Sequence, residues 1–331
     1  MTAATAPAAP LTFGQRAAIL RGRGWTPRQA EWLTLVCLHS GVFTRSQYQA
    51  RYRVTAAPAT RFVRALTDAG VVREAPLREA SLRARRACRP TSICHVHGRA
   101  LYRALGIEDH RHRRSASAAL TMRRLLSLDY VLEHPDLHWL STEPDKLDYF
   151  LRLGISPAAL PRRVRRGPST DRPTRLYFPL SLPIAGSGAT TTFVHADPGW
   201  PHLQAERLRA WVAAHAALWE ALRERGGVVH IVAVTRTDAA AATNAAILET
   251  WRGPPAPTVP RTEAEQRLMD EFELAKTTGD LRPLDKYGGV MDGVRAVQRI
   301  RDREKAARES AKYVDAYSTH VAERLALDAG G

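Results

Sequence analysis

"TPRQAEWLTLVCLHSGVFTRSQYQARYRVTAAPATRFVRALTDAGVVREA", residues 26–75, is the stretch on which the fold turns. Thr26 followed by Pro27 reads as a helix N-cap with proline in the first turn, where a missing N–H does no harm. Ala30, Leu33, Val36 and Cys37 then recur at helical spacing, and Gly41 supplies the stop. Thr44 leads a second, short helix over 44–52. A third helix spans 57–70, with Phe62, Val63 and Leu66 turned inward and Gly70 at its end. A strand over 71–75 follows, then the polar, Arg-rich run 76–91, then a strand over 92–98, "SICHVHG". Three helices, a strand, a basic loop and a strand are the order of a winged helix-turn-helix. On that reading helix 57–70 is the recognition helix. Thr55, Ala59, Thr60, Arg61 and Arg64 lie near its N-terminal half, toward a major groove. Arg78, Arg83, Arg85 and Arg86 form the wing, beside phosphates or in the minor groove. Arg45 and Arg53 flank the second helix.

Charge points to the same end of the chain. The net charge is +16 over 331 residues. Residues 1–115 hold 20 Arg, no Lys and six acids, so +14 of the total lies in one third of the sequence. A GC-rich genome would favour Arg over Lys everywhere; it would not produce this asymmetry. Concentrated positive charge is the footprint of a phosphate-backbone binder, and double-stranded DNA is the expected partner. No run of about 18 apolar residues is present, so no membrane partner is expected. Three cysteines do not make a disulfide framework, and no secretory leader is evident, which together point to the cytoplasm.

The remainder alternates helices and strands. After a short helix at 98–106, "DHRHRR" (109–114) reads as a solvated basic linker that adds phosphate contacts. An amphipathic helix follows at 117–135. From about Asp136 the pattern gives a helix at 142–153, a basic loop at 159–174, and strands at 175–186 and 190–197. A long helix at 201–226, a continuous apolar strand at 228–237 and a helix at 238–251 complete an α/β core. A Pro-rich linker at 252–261 leads to a helical tail over 262–279 and from Gly288 to about Leu327. About 40 helical residues would reach ~60 Å. That helix is charged in its middle and apolar at both ends, which points to an arm reaching a second copy in a homodimer. The expected divisions are a flexible N-terminus at 1–24, a DNA-binding domain at 25–115, a linker helix and α/β domain at 116–252, and a linker and helical tail at 253–331.

This layout resembles the replication-relaxation, or MobC-like, winged-helix proteins of plasmids, phages and integrative elements. The stretches that carry the resemblance are "TPRQAEWLTLVCLHSGVFTRSQYQ", "TRFVRALTDAGVV", "CHVHGRALYRALG" and the block from "TTTFVHADPG" through "LRAWVAAHAALWEALRERGGVVHIVAVT". They cover about residues 25–250. The resemblance implies an α+β protein with an N-terminal winged helix-turn-helix. It also implies a degenerate α/β domain of the restriction-endonuclease-like kind, to which the sequence adds a long C-terminal helical tail. Regulators of integrative conjugative elements look similar, and the resemblance implies transcription regulation on a mobile genetic element.

"FVHADPG", residues 193–199, is where such a domain would keep its chemistry. A metal-dependent nuclease needs two carboxylates to hold Mg²⁺ and a lysine to help generate hydroxide. Asp171 and Asp197 could supply acids. His195, however, stands where an acid belongs, and no Lys occurs between Lys146 and Lys276. Asp171, His195 and Asp197 therefore read as a degenerate site, with no catalytic residue, no cofactor and no metal. Cys88, Cys94, His95 and His97 lack the C-x2-C hairpin that presents paired thiolates to zinc. Gly186–Gly188 reads as a turn between strands rather than a phosphate loop. The leading expectation is a sequence-specific DNA-binding regulator acting as a dimer. The alternative is a DNA-processing accessory, a nuclease or relaxase auxiliary. A third possibility is an effector-sensing pocket lined by His195, Trp211, His215 and Trp219, its effector unknown.

Overall fold

The computed structural model describes residues 11–76, 92–165, 174–199, 201–252, 261–310 and 314–325. The chain is a mixed α+β protein. Two compact units divide it: Met1–Ile247 with Ala316–Gly331, and Leu248–Asp315.

In the first unit α1 (Phe13–Arg21), α2 (Pro27–His39), β1 (Val42–Thr44), α3 (Arg45–Tyr52) and α4 (Ala56–Asp68) precede β2 (Val72–Pro76) and β3 (Ser92–Val96). α1 corrects the expectation of a flexible stretch over 1–24 for its residues 13–21; residues 1–10 lie outside the described residues. Thr12 caps it with a capping box, and Leu20 is buried in the core. β1, VFT, was not anticipated. It is three residues long, directly after the Gly41 turn, and all three are buried. It pairs antiparallel with β3, and β3 with β2, giving the order β1-β3-β2.

The core packs as the sequence periodicity expects on α2, where Ala30, Leu33, Val36 and Cys37 are fully buried. Trp32 sits edge-on to Phe43 and Tyr48, and Tyr48 stacks on Phe62 at 4.4 Å. Ala59, expected to face outward, is also fully buried, because it shares the inner face of α4 with Phe62, Val63 and Leu66.

After α5 (Arg99–Ala104) comes a 3-10 turn, Arg111–Arg113, and α6 (Ala118–Glu133). "DHRHRR" is not a solvated linker. His112 is buried, and Arg111 donates to the carbonyls of Tyr177, Phe178 and Pro179. Gly41, at φ +71°, faces the His112 carbonyl, where a Cβ would collide with the backbone. Nor is α6 a half-exposed amphipathic helix. From Leu125 to Leu132 every residue is buried, and Leu128 and Leu132 belong to the same apolar cluster as Trp32 and Phe62. The expected division near residue 115 is therefore crossed by continuous packing.

The second sheet follows α7 (Glu143–Arg152). The basic loop expected at 159–174 contains β4 (Arg162–Arg165), which pairs with β5 (Thr174–Tyr177). The single strand expected at 175–186 is two. It breaks at Phe178 and Ser181, both at positive φ, and resumes as β6 (Ile184–Ser187). β7 (Thr190–Ala196), α8 (Pro201–Arg223), β8 (Val228–Thr235) and α9 (Asp238–Glu249) follow. β6 and β7 are antiparallel around Gly188-Ala189, whereas β7 and β8 run parallel.

The second unit holds α10 (Glu263–Thr278), a 3-10 turn at Arg282–Tyr287 and α11 (Val290–Ser310), with Leu268, Leu284, Val297 and Ile300 in a small core of their own. The long helical arm expected to run to about Leu327 is not formed. α11 ends at Ser310, and β9 (Ala316–Val321) joins the first unit's sheet parallel to β8, in the order β6-β7-β8-β9. Tyr317 and Val321, four residues apart, fit a helical period but share one face of this half-buried strand. The expected homodimer loses the arm that motivated it.

One buried carboxylate ties these pieces together. Gln47, the capping-box residue of α3, receives the Thr44 amide on Oε1 at 3.0 Å. Its Nε2 donates to the Leu125 carbonyl at 3.0 Å and to Asp129 Oδ1 at 3.2 Å, both on α6. Arg324, in the 3-10 turn Glu323–Leu325 after β9, donates to the same Asp129 oxygen at 3.1 Å and to Glu133 at 2.6 Å. Removing the cation would leave the Asp129 carboxylate, 0% exposed, held by a neutral amide alone. Arg324→Ala is expected to lower the unfolding free energy at neutral pH by ~3 kcal/mol, measured by urea denaturation. Adding Asp129→Asn should recover part of that loss, because no buried charge then remains.

Candidate nucleic-acid interface and a buried pocket

Two places carry the residues that the sequence singled out. The first is the outer face of α4. Burying Ala59, Phe62, Val63 and Leu66 turns Thr60, Arg61 and Arg64 outward by helical geometry, and all three are exposed. Thr55 is the N-cap of α4, and its hydroxyl makes no capping bond. Arg53 ends α3 in the left-handed region at φ 51° and is exposed. Among the described residues no carboxylate lies in ion-pair range of Arg53, Arg61 or the exposed Arg73 of β2. Arg64 reaches Asp68 only at 4.0 Å, with both side chains largely in solvent.

Arg45 is placed differently. Its guanidinium binds Glu74 of β2 at 2.7 Å, half-buried, so it links α3 to the sheet. Arg28 was not singled out in the sequence. It stands with Arg61 along a shallow groove that Pro58 and Phe62 also line, and its guanidinium lies 5.2 Å from the Tyr52 ring centre. Only the tertiary approach of the α2 N-terminus to α4 makes it part of this face. Arg78, Arg83, Arg85 and Arg86 lie outside the described residues, as do Cys88 and Asp171.

The second place is the end of β7. His195 and Asp197 are both buried, 3% and 1% exposed. The strand stops at Ala196, so Asp197 begins the turn. Asp197 Oδ1 accepts from Arg207 of α8 at 2.9 Å and from the Gly199 amide at 3.1 Å. Arg123 of α6 donates to the Ala196 carbonyl at 3.3 Å. The strand-end carboxylate is thus engaged by an arginine, and His195 stacks obliquely against Trp211, ring centres 5.0 Å apart. Burial pushes the His195 imidazole down to about 3, helped by Arg123 and Arg207. Among the described residues no three His, Cys, Asp or Glu side chains are grouped to hold a metal ion. His215 and Trp219 pack against Phe193 and Trp211 packs against both of them, with His215 donating from Nδ1 to the Trp211 carbonyl at 2.8 Å.

Lys146 escaped the sequence reading except as the last lysine before a long gap. It is 4% exposed and donates to the Leu182 carbonyl at 2.6 Å. Burial, with Arg111 nearby, pushes its ammonium down to about 7. His39 and His110, which face it, are pushed down to about 3 by burial. A polar residue in the fourth position of a well-capped helix carries no sequence signal of burial, so only packing reveals it.

No protein-family model, no curated protein and no solved structure matches the chain. Among the described residues no helix is long and apolar enough to cross a membrane.

The buried histidines give a pH dependence with a definite sign. His39, His110 and His195 are pushed to about 3 and His215 to about 4. In the unfolded chain each takes a proton near pH ~6.5. Between those limits the unfolded state binds more protons, so stability falls as the solution is acidified, by up to ~1.4 kcal/mol per pH unit for each histidine. The melting temperature is expected to drop steeply from pH 7 to pH 5, with a shallower drop in His215→Gln. A melting temperature unchanged over that range would contradict neutral burial of this set.

Proposed function

We propose that the protein is a sequence-specific regulator that binds double-stranded DNA, encoded by a mobile genetic element and controlling its transfer or replication. The helices α2 to α4 with the sheet β1-β3-β2 are read as a winged helix-turn-helix. The observation that carries the reading is the outer face of α4. Thr60, Arg61 and Arg64 project there from a helix whose other side is locked in the core, within a region of net charge +14. Arginine forks at that spacing suit guanine edges in a major groove, and Arg28, Arg53 and Arg73 suit phosphates.

The α/β part is read as a non-catalytic frame. What supports this is the engagement of Asp197 by Arg207, together with the neutral His195 beside it.

The test is binding to the DNA upstream of the gene and of its neighbours. Affinity should fall steeply with salt, each neutralised phosphate adding about 0.9 to the log–log slope. Arg61→Ala and Arg64→Ala should each weaken specific binding by ~1–3 kcal/mol where the side chain is bidentate to guanine. They should leave the melting temperature unchanged. Arg45→Ala should act chiefly on stability, through Glu74. Absent or salt-independent binding would refute the reading.

A further inference from the structure

The end of β7 opens on a cavity of about 640 Å³. A volume of that size suits a small organic molecule. Its walls come from elements distant in sequence: α6, β4, the Phe178–Pro183 segment, β7 and α8. Among the described residues the charged side chains on them are Arg123, Arg162, Arg163 and Arg207, with no carboxylate. Between the guanidiniums the surface is aromatic, with Trp211, Phe178 and Phe193, and His215 beside them.

Two features set this cavity apart from an ordinary packing defect. His195 forms part of the wall while 97% of its surface is buried, and its Nδ1 has no hydrogen-bond partner among the described residues. A buried ring nitrogen left unpaired is costly unless something supplies a bond. Second, the wall segment is held in an uncommon shape. Phe178 and Ser181 are at φ 47° and 53°. Phe178 donates its amide to the Pro161 carbonyl, and Arg111 gathers the successive carbonyls of Tyr177, Phe178 and Pro179 where the segment leaves β5. A bulky residue at positive φ persists only where its surroundings over-determine it.

We propose that this cavity is a binding site for a small aromatic anion. Its planar body would lie against Trp211 and Phe178, and its carboxylate or phosphate head would be held by Arg123 and Arg163. Guanidinium forks match such oxyanions in pairs, and aromatic walls favour a flat apolar body. The inference does not depend on the DNA-binding reading.

The experiment is calorimetric titration of the full chain with 1-naphthoate, 1-naphthyl phosphate and neutral 1-naphthalenemethanol. At least one anion is expected to bind saturably with one site, at least about tenfold tighter than the neutral alcohol. The order of the two anions identifies the head group. Arg123→Gln and Arg163→Gln should each weaken the anion by about tenfold, the size of one charge-assisted hydrogen bond. Arg163 lies at an exposed strand position, so its replacement does not threaten the fold. The proposal is overturned if neither anion saturates at ~1 mM. It is equally overturned if the alcohol binds as well as the anions, or if Arg163→Gln binds them unchanged.

Discussion

Asp129 holds a carboxylate with no exposed surface in the middle of α6, and two other segments meet it. Gln47 comes from α3, 82 residues earlier; Arg324 comes from the end of the chain, 195 residues later. Burial lifts this carboxyl above its ordinary pKa even with Arg324 beside it, a measure of how dry the site is. An anion in such a place is tolerated only when its partners arrive, so α3, α6 and the turn after β9 are committed together. The same Gln47 closes the capping box of α3, so the local helix start and the long-range tie share one side chain.

α6 is therefore the common support of the molecule. On one side it completes the core that holds α4 in place, through Leu128 and Leu132. On another it carries Arg123 to the end of β7. The turn before it is pinned by Arg111 and faces Gly41, so α2, α6 and the Phe178–Pro183 segment are fixed against each other. Near that joint lie Lys146, His39 and His110, all held toward their neutral forms by burial. Uncharged imidazoles and a weakened ammonium leave less charge to be buried at this joint beside the Arg111–Glu143 pair, at the cost of stability in acid.

The local signals in the sequence were reliable where the chain's own chemistry closes on itself. Thr26 with Gln29 and Thr44 with Gln47 each cap a helix within four residues, and Ala30, Leu33, Val36 and Cys37 needed only a helical period to be placed. Signals failed where a distant partner decides. VFT at 42–44 is too short to read as a strand until β3 lies beside it. Tyr317 and Val321 fit a helix period, yet pairing with β8 makes them a strand. "DHRHRR" is polar enough for solvent, yet the Tyr177–Pro179 carbonyls draw it inside. At the candidate sites, Arg61 and Arg64 were legible from the inward set on their own helix. Arg28, Arg123 and Lys146 were not, because each acquires its place from another element.

By itself the sequence determined the starts of α2, α3 and α4, the inward faces of α2 and α4, the concentration of arginine in the first third and the lack of a second acid beside Asp197. These depend on periodicity, capping and composition, which act over a few residues. Tertiary structure alone decided that the final strand joins the sheet, that α6 is interior and that Asp197 meets Arg207. It also decided that arginines from α6, β4 and α8 surround one cavity. Each of these outcomes rests on which distant groups can satisfy a buried hydrogen bond or charge, and no local pattern encodes that.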